Sequence, residues 1–129
     1  MVKKLKDKTV LIIEDDADIS NFARRVLELE GYRVLQAETG DEGLRLSREN
    51  KVNLALLDLR LPDGSGWVIL EQMKNDPEIS AIPVIVFTAS YGIQQHDQAL
   101  AMGAADYLVK PLSANDLKKA VVRALRRKR

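Results

Sequence analysis

Short β-branched apolar runs alternate with amphipathic stretches along nearly the whole chain. Residues 9–13, 32–37, 53–57, 84–88 and 106–109 are apolar, of strand length, and bounded by turn or charged residues. That is the pattern of strands buried on both faces of a parallel sheet. Ile19, Phe22, Ala23, Val26 and Leu27 recur at the spacing of one helix face, and Gly31 ends the helix they predict. Residues 43–49, 67–74 and 94–102 predict three more helices, with Gly103 stopping the last. Ser113 opens a fifth, with Asp116 three residues on in a capping-box arrangement. Its face is Leu117, Ala120, Val121, Ala124 and Leu125. Five strands, each followed by a helix, predict a single α/β domain: one parallel sheet, right-handed crossovers and helices on both faces.

In such sheets ligands bind beyond the carboxyl ends of the strands. The first strand runs into Glu14-Asp15-Asp16 and the third into Asp58, while the fourth ends in Thr88-Ala89 and the fifth in Lys110-Pro111. Three acids, a hydroxyl and a lysine therefore converge on one edge of the sheet. Clustered carboxylates repel unless a cation sits among them. An all-oxygen donor set suits a hard divalent ion, and Mg2+ keeps waters and accepts phosphate oxygens. A carboxylate beside Mg2+ and a lysine can act as a nucleophile toward phosphorus, because both cations neutralise charge developing on the phosphoryl oxygens.

Composition narrows the field. A chain of 129 residues with 46% apolar content fits one domain with a sizeable core. Lys plus Arg number 20 against 19 Asp plus Glu, without the basic excess of a dedicated nucleic-acid binder. There is no cysteine, which excludes disulfides, thiolate metal sites and cysteine nucleophiles. The first residues are too polar for a signal peptide, and the apolar runs are too short to span a bilayer, so a cytoplasmic protein is expected.

Taken singly, each site residue has a plainer reading. Acids at a helix start complement its dipole, and Asp16 reads better as an N-terminal residue of the first helix than as a ligand. His96 lies on a polar stretch and reads as solvated; Trp67 should pack at a helix start. Arg126, Arg127, Lys128 and Arg129 read as a solvated helix end or the start of a linker.

Together, Leu-Ile-Ile-Glu14-Asp15-Asp16, Leu-Leu-Asp58-Leu-Arg-Leu-Pro62-Asp-Gly64, Val-Phe-Thr88-Ala89 and Gly103-Ala-Ala-Asp-Tyr107-Leu-Val-Lys110-Pro111 resemble the receiver domains of two-component response regulators. The resemblance spans Thr9 to the last helix and implies a flavodoxin-like sheet of strand order 2-1-3-4-5. It implies a receiver domain over 9–125, between an extension at 1–8 and a basic tail at 126–129. It also implies that Asp58 accepts a phosphoryl group from a sensor histidine kinase or histidine phosphotransfer domain. Glu14, Asp15, Asp58 and the backbone carbonyl of Arg60 would hold Mg2+. Lys110 and Thr88 would engage the phosphoryl, and Tyr107 would turn inward as Thr88 moves. A cis Lys110–Pro111 bond would aim the lysine. Arg60 and Ser90, two residues beyond Asp58 and Thr88, would tune hydrolysis.

The output, to an unknown partner, would be read on the fourth helix, fifth strand and fifth helix. Asp106 and Asp116 match the charge pairing of dimerising, winged-helix-linked receivers, whereas Ala101, Met102, Ala105 and Ala120 replace their common charged partners. Residues 75–83 resemble chemotaxis-type and hybrid-kinase receivers, and a monomer or weak dimer is expected. Two rival classes fit less well. A haloacid-dehalogenase-type phosphatase needs a second Asp where Arg60 stands. A DNA-binding regulator would have to use the receiver itself.

Overall fold

A computed structural model describes residues 7–89 and 92–126. The strands are β1 (Thr9–Ile13), β2 (Arg33–Ala37), β3 (Leu54–Leu57), β4 (Val84–Thr88) and β5 (Asp106–Val109). They form one parallel sheet in the order β2-β1-β3-β4-β5, the flavodoxin-like arrangement. Helices follow in turn: α1 (Ala17–Leu29), α2 (Gly40–Glu49), α3 (Gly66–Asn75), α4 (Ile93–Ala101) and α5 (Ala114–Arg126).

Successive side chains on a strand point to opposite faces, so each strand feeds two cores. Val10, Ile12, Leu54, Leu56, Ile85 and Phe87 pack against α1 and α5. Leu11, Ile13, Ala55, Leu57, Val84 and Val86 pack on the other face, under α2, α3 and α4.

Local chemistry sets most boundaries. Asp16 is the N-cap of α1, its Oδ1 accepting the Asp18 and Ile19 N–H groups at 3.0 and 3.1 Å, as expected. Gly31, at φ +96°, ends that helix with its N–H on the Glu28 carbonyl. Ser113 Oγ accepts the Asp116 N–H at the start of α5.

The structure departs from the pattern reading in several places. Asn53 is not in β3; its Oδ1 accepts the Thr9 N–H at 2.8 Å, tying the chain before β3 to the start of β1. α2 begins three residues earlier than its apolar positions indicate, because Thr39 caps it by accepting the Glu42 N–H. The expected face of α1 holds at Ala23, Val26 and Leu27, with Ile19 packed beside them, but Phe22 is 40% exposed and Ser20 is buried. Ser20 can be buried because its hydroxyl accepts from Gln36 Nε2 on β2 at 2.7 Å. A small antiparallel ribbon that the pattern did not show, Arg60–Leu61 with Gly64–Ser65, leads from the third strand into α3.

No helix among the described residues is long and apolar enough to cross a membrane.

Candidate functional site

Strand register builds the site. Ile13 lies beside both Ala37 and Leu57, so Glu14 and Asp58, one residue further on, lie side by side. Two backbone bonds lock them there: Glu14 N–H to the Ala37 carbonyl at 2.9 Å, and Asp58 N–H to the Ile13 carbonyl at 3.0 Å. On the other flank Thr88 lies beside Val109, and the Lys110 N–H donates to the Thr88 carbonyl at 2.8 Å.

Carboxylate oxygens of Glu14, Asp15 and Asp58 lie within 4.8 Å of one another. Glu14 and Asp58 are buried, while Asp15 faces outward. The Lys110 ammonium sits between the two buried acids. It hydrogen-bonds Glu14 Oε1 and stands 3.2 Å from Asp58 Oδ2. It also lies 4.8 Å from the centre of the Phe87 ring, a favourable cation–π placement. The Lys110–Pro111 bond is cis, as the resemblance implied. Lysine is thus shared between two carboxylates.

Burial pushes the Glu14 carboxyl above its ordinary value, and the neighbouring Asp58 charge adds to the rise. The Lys110 and Asp16 N–H donors oppose it. The Asp16 N–H reaches Glu14 Oε2 at 3.0 Å. Oxygen donors this close, with no nitrogen or sulfur ligand among them, fit a hard divalent cation.

Thr88 is buried at the end of β4. Tyr107 is already turned into the core, its hydroxyl 3.4 Å from Gln95 Oε1. His96, read from sequence as solvated, is only partly so. Its ring meets Tyr107 edge-on at 5.6 Å between centroids. Arg60 extends from the ribbon into solvent, and its N–H donates to Asp58 Oδ1 at 3.2 Å. Ser90 and residues 127–129 lie outside the described residues.

Two residues next to the site escaped the sequence reading. Gly66 packs directly on the Asp58 backbone, and Asp63 bridges from the loop after Asp58 to α2. Asp63 stands within the Asp58 motif and Gly66 two residues beyond it, and neither position by itself signals its contact.

Beside the site, Ile19 and Phe22 of α1 with Phe87, Pro111 and Leu112 line an open apolar groove of about 480 Å3 that reaches Lys110.

Comparison with known proteins agrees with this geometry. The family described as response regulator receiver domain matches residues 10–122. The KDP operon transcriptional regulatory protein KdpE of Escherichia coli K12 is 42% identical over 118 residues, covering 92% of this chain and 51% of that protein. The chain likewise spans about half the length of the other transcriptional regulators first matched. Protein PilH of Pseudomonas aeruginosa is 34% identical over 112 residues, covering 87% of this chain and 93% of that one. Among solved structures, a CheY-like receiver domain protein from Methanospirillum hungatei JF-1 superposes with a TM-score of 0.84 at 34% identity, over 92% of this chain and 94% of that one. The non-phosphorylated HemR receiver domain of Leptospira biflexa does so with 0.87 at 31%, over 95% and 98%. With its register-built cluster of acids and lysine, this chain belongs to the response regulator receiver domain family, the phosphorylation-dependent switches of two-component signalling.

Proposed function

We propose that Asp58 is the phosphoacceptor, taking a phosphoryl group from a phosphohistidine of a sensor histidine kinase or histidine phosphotransfer domain. The observation that carries this reading is the Lys110 ammonium between Asp58 and Glu14, with Asp15 beside them. Asp58 Oδ2 attacks phosphorus as the histidine nitrogen leaves. Lys110 turns from Glu14 toward the phosphoryl oxygens, and Thr88 donates its hydroxyl to one of them. Glu14, Asp15, Asp58 and the Arg60 carbonyl would hold Mg2+, which when bound neutralises charge on those oxygens.

Phosphorylation replaces the single charge of the Asp58 carboxylate with a phosphoryl group of about −1.5 to −2 charges beside Thr88 and Lys110. Drawing both inward moves the loops after β4 and β5, and with them Tyr107 and α4. The output surface is then α4, β5 and α5. Once the phosphoryl is in place, Arg60 folds back from solvent over it and slows its hydrolysis, with Ser90 offering no carboxylate to orient water. The kinase or phosphotransfer domain docks on the groove of Ile19, Phe22, Pro111 and Leu112, because that apolar surface opens beside Lys110. Uptake is stoichiometric rather than a turnover of substrate, in the cytoplasm, by a switch spanning 9–125 with a basic tail at 126–129.

The test is intact mass after incubation with a small phosphodonor and Mg2+. One phosphoryl per chain is expected, abolished by EDTA and in Asp58→Asn. Wild-type uptake in Asp58→Asn overturns the assignment.

A further inference from the structure

The loop between Asp58 and α3 is pinned at both ends. At its far end, the Gly66 N–H donates to the Leu59 carbonyl at 2.9 Å. A Cβ at Gly66 would lie 2.3 Å from the Asp58 carbonyl oxygen and 2.6 Å from Leu59 Cα. The first turn of α3 therefore rests on the backbone of the phosphoacceptor itself, an approach only glycine allows. At the turn of the ribbon, the Asp63 carboxylate reaches across to α2. Its Oδ1 accepts the Gly40 N–H at 2.9 Å and its Oδ2 the Asp41 N–H at 3.0 Å. These bonds to backbone donors hold the Asp63 carboxyl below its ordinary value.

Helix α2 already has a cap of its own, Thr39 Oγ1 on the Glu42 N–H at 3.0 Å. What Asp63 adds is a tie between two elements 22 and 23 residues apart in sequence. A ribbon of two residues per strand is too small to hold its shape alone. It nonetheless carries the Arg60 backbone, whose N–H bonds Asp58 Oδ1.

We propose that Asp63 is a positioning residue for the phosphoryl site: by tying the ribbon to α2 it holds the Arg60 backbone against the Asp58 carboxylate and so sets the affinity for the divalent cation. This rests on the Mg2+ reading above. A small ion of strict geometry binds tightly only where its ligands are already in place, and outer partners of ligating groups commonly matter about tenfold or more.

The experiment titrates the full chain with Mg2+ alone, following amide resonances. Asp63→Ala should weaken Mg2+ binding about tenfold and speed exchange of the Gly40 and Asp41 amides. Asp63→Asn, which keeps an acceptor oxygen, should fall between Asp63→Ala and wild type. Thr39→Ala weakens the same helix without touching the loop. It should lower the melting temperature and leave Mg2+ affinity unchanged. Equal affinity in Asp63→Ala and wild type overturns the proposal, as does an equal loss in Thr39→Ala, which would reduce Asp63 to a helix cap. If Asp63→Ala does not fold, the comparison of Asp63→Asn with Thr39→Ala decides in the same way. A wild type that binds no Mg2+ overturns the metal reading and this inference with it.

Discussion

Helices α5 and α4 flank the same strand, yet they are held in opposite ways. α5 buries Leu117, Ala120, Val121 and Ala124 and is capped by Ser113. α4 buries only Ala99, has no side-chain cap, and leaves Ile93 69% and Leu100 41% exposed. Among the described residues, Gln95 and His96 of α4 also touch Tyr107. Anchoring by core burial resists movement; anchoring through one residue transmits it. Elements that move are drawn from the weakly packed end of a structure. On the proposed switching, a charge change at Thr88 and Lys110 would shift α4 through Tyr107 more readily than α5.

The contrast can be broken directly. Leu117→Ala should cost about 2–5 kcal/mol, the usual loss for a fully buried leucine. Leu100→Ala on α4 should stay within about 0.5 kcal/mol. Denaturant unfolding measures both, and comparable losses would erase the distinction.

A sharper version follows amide exchange on phosphorylation. Residues 92–102 and 106–110 should change most, and the α5 amides beneath Leu117 and Val121 least. Changes confined to α2 would count against α4 as the output element.

Within the site, buried and exposed groups should also differ in kind. Removing buried Asp58 should abolish uptake, whereas trimming exposed Arg60 should alter only lifetime. Arg60→Ala should shorten the phosphoryl half-life at saturating Mg2+; an unchanged or longer half-life excludes occlusion by that side chain.

The smallest effect is on acid stability. Asp63 and Asp76 are both held below the ordinary carboxylate value of 3.8, each chiefly by a backbone N–H bond. A carboxyl depressed in the folded state stabilises it fully above the unfolded value, and that contribution is lost as pH falls through the folded one. Asp63→Asn should thus flatten the loss of stability below about pH 3.8 and leave the slope at neutral pH unchanged, as read by denaturation at stepped pH.

How far the sequence reaches depends on the range of each interaction. Glu14, Asp15, Asp58, Thr88 and Lys110 could be placed together because each stands at a strand's carboxyl end, and parallel strands in register align those ends. Asp16 could be placed at the start of the first helix because its partners are two and three residues away. Phe22 was misplaced because whether Ser20 or Phe22 turns inward depends on Gln36, across the interface on β2. Asp63 and Gly66 were passed over because neither α2 nor the Asp58 carbonyl is a sequence neighbour.

Lys74 shows the same limit. Its ammonium bonds the Ser80 and Ile82 carbonyls at 3.0 and 2.7 Å, and burial lowers its pKa from the ordinary value. In the sequence it is one more cation at a helix end.

The sequence by itself determined the five strand–helix units, the Ser113 cap of the last helix and the edge where the acids and lysine collect. Periodicity and capping act within a few residues, and a parallel register carries strand ends along with it. Only the tertiary structure decided that Lys110 divides its charge between Glu14 and Asp58, that Tyr107 holds α4, and that Asp63 ties the ribbon to α2. Hydrogen bonds and ion pairs form or fail within a few tenths of an ångström, and that distance is set by how whole elements pack.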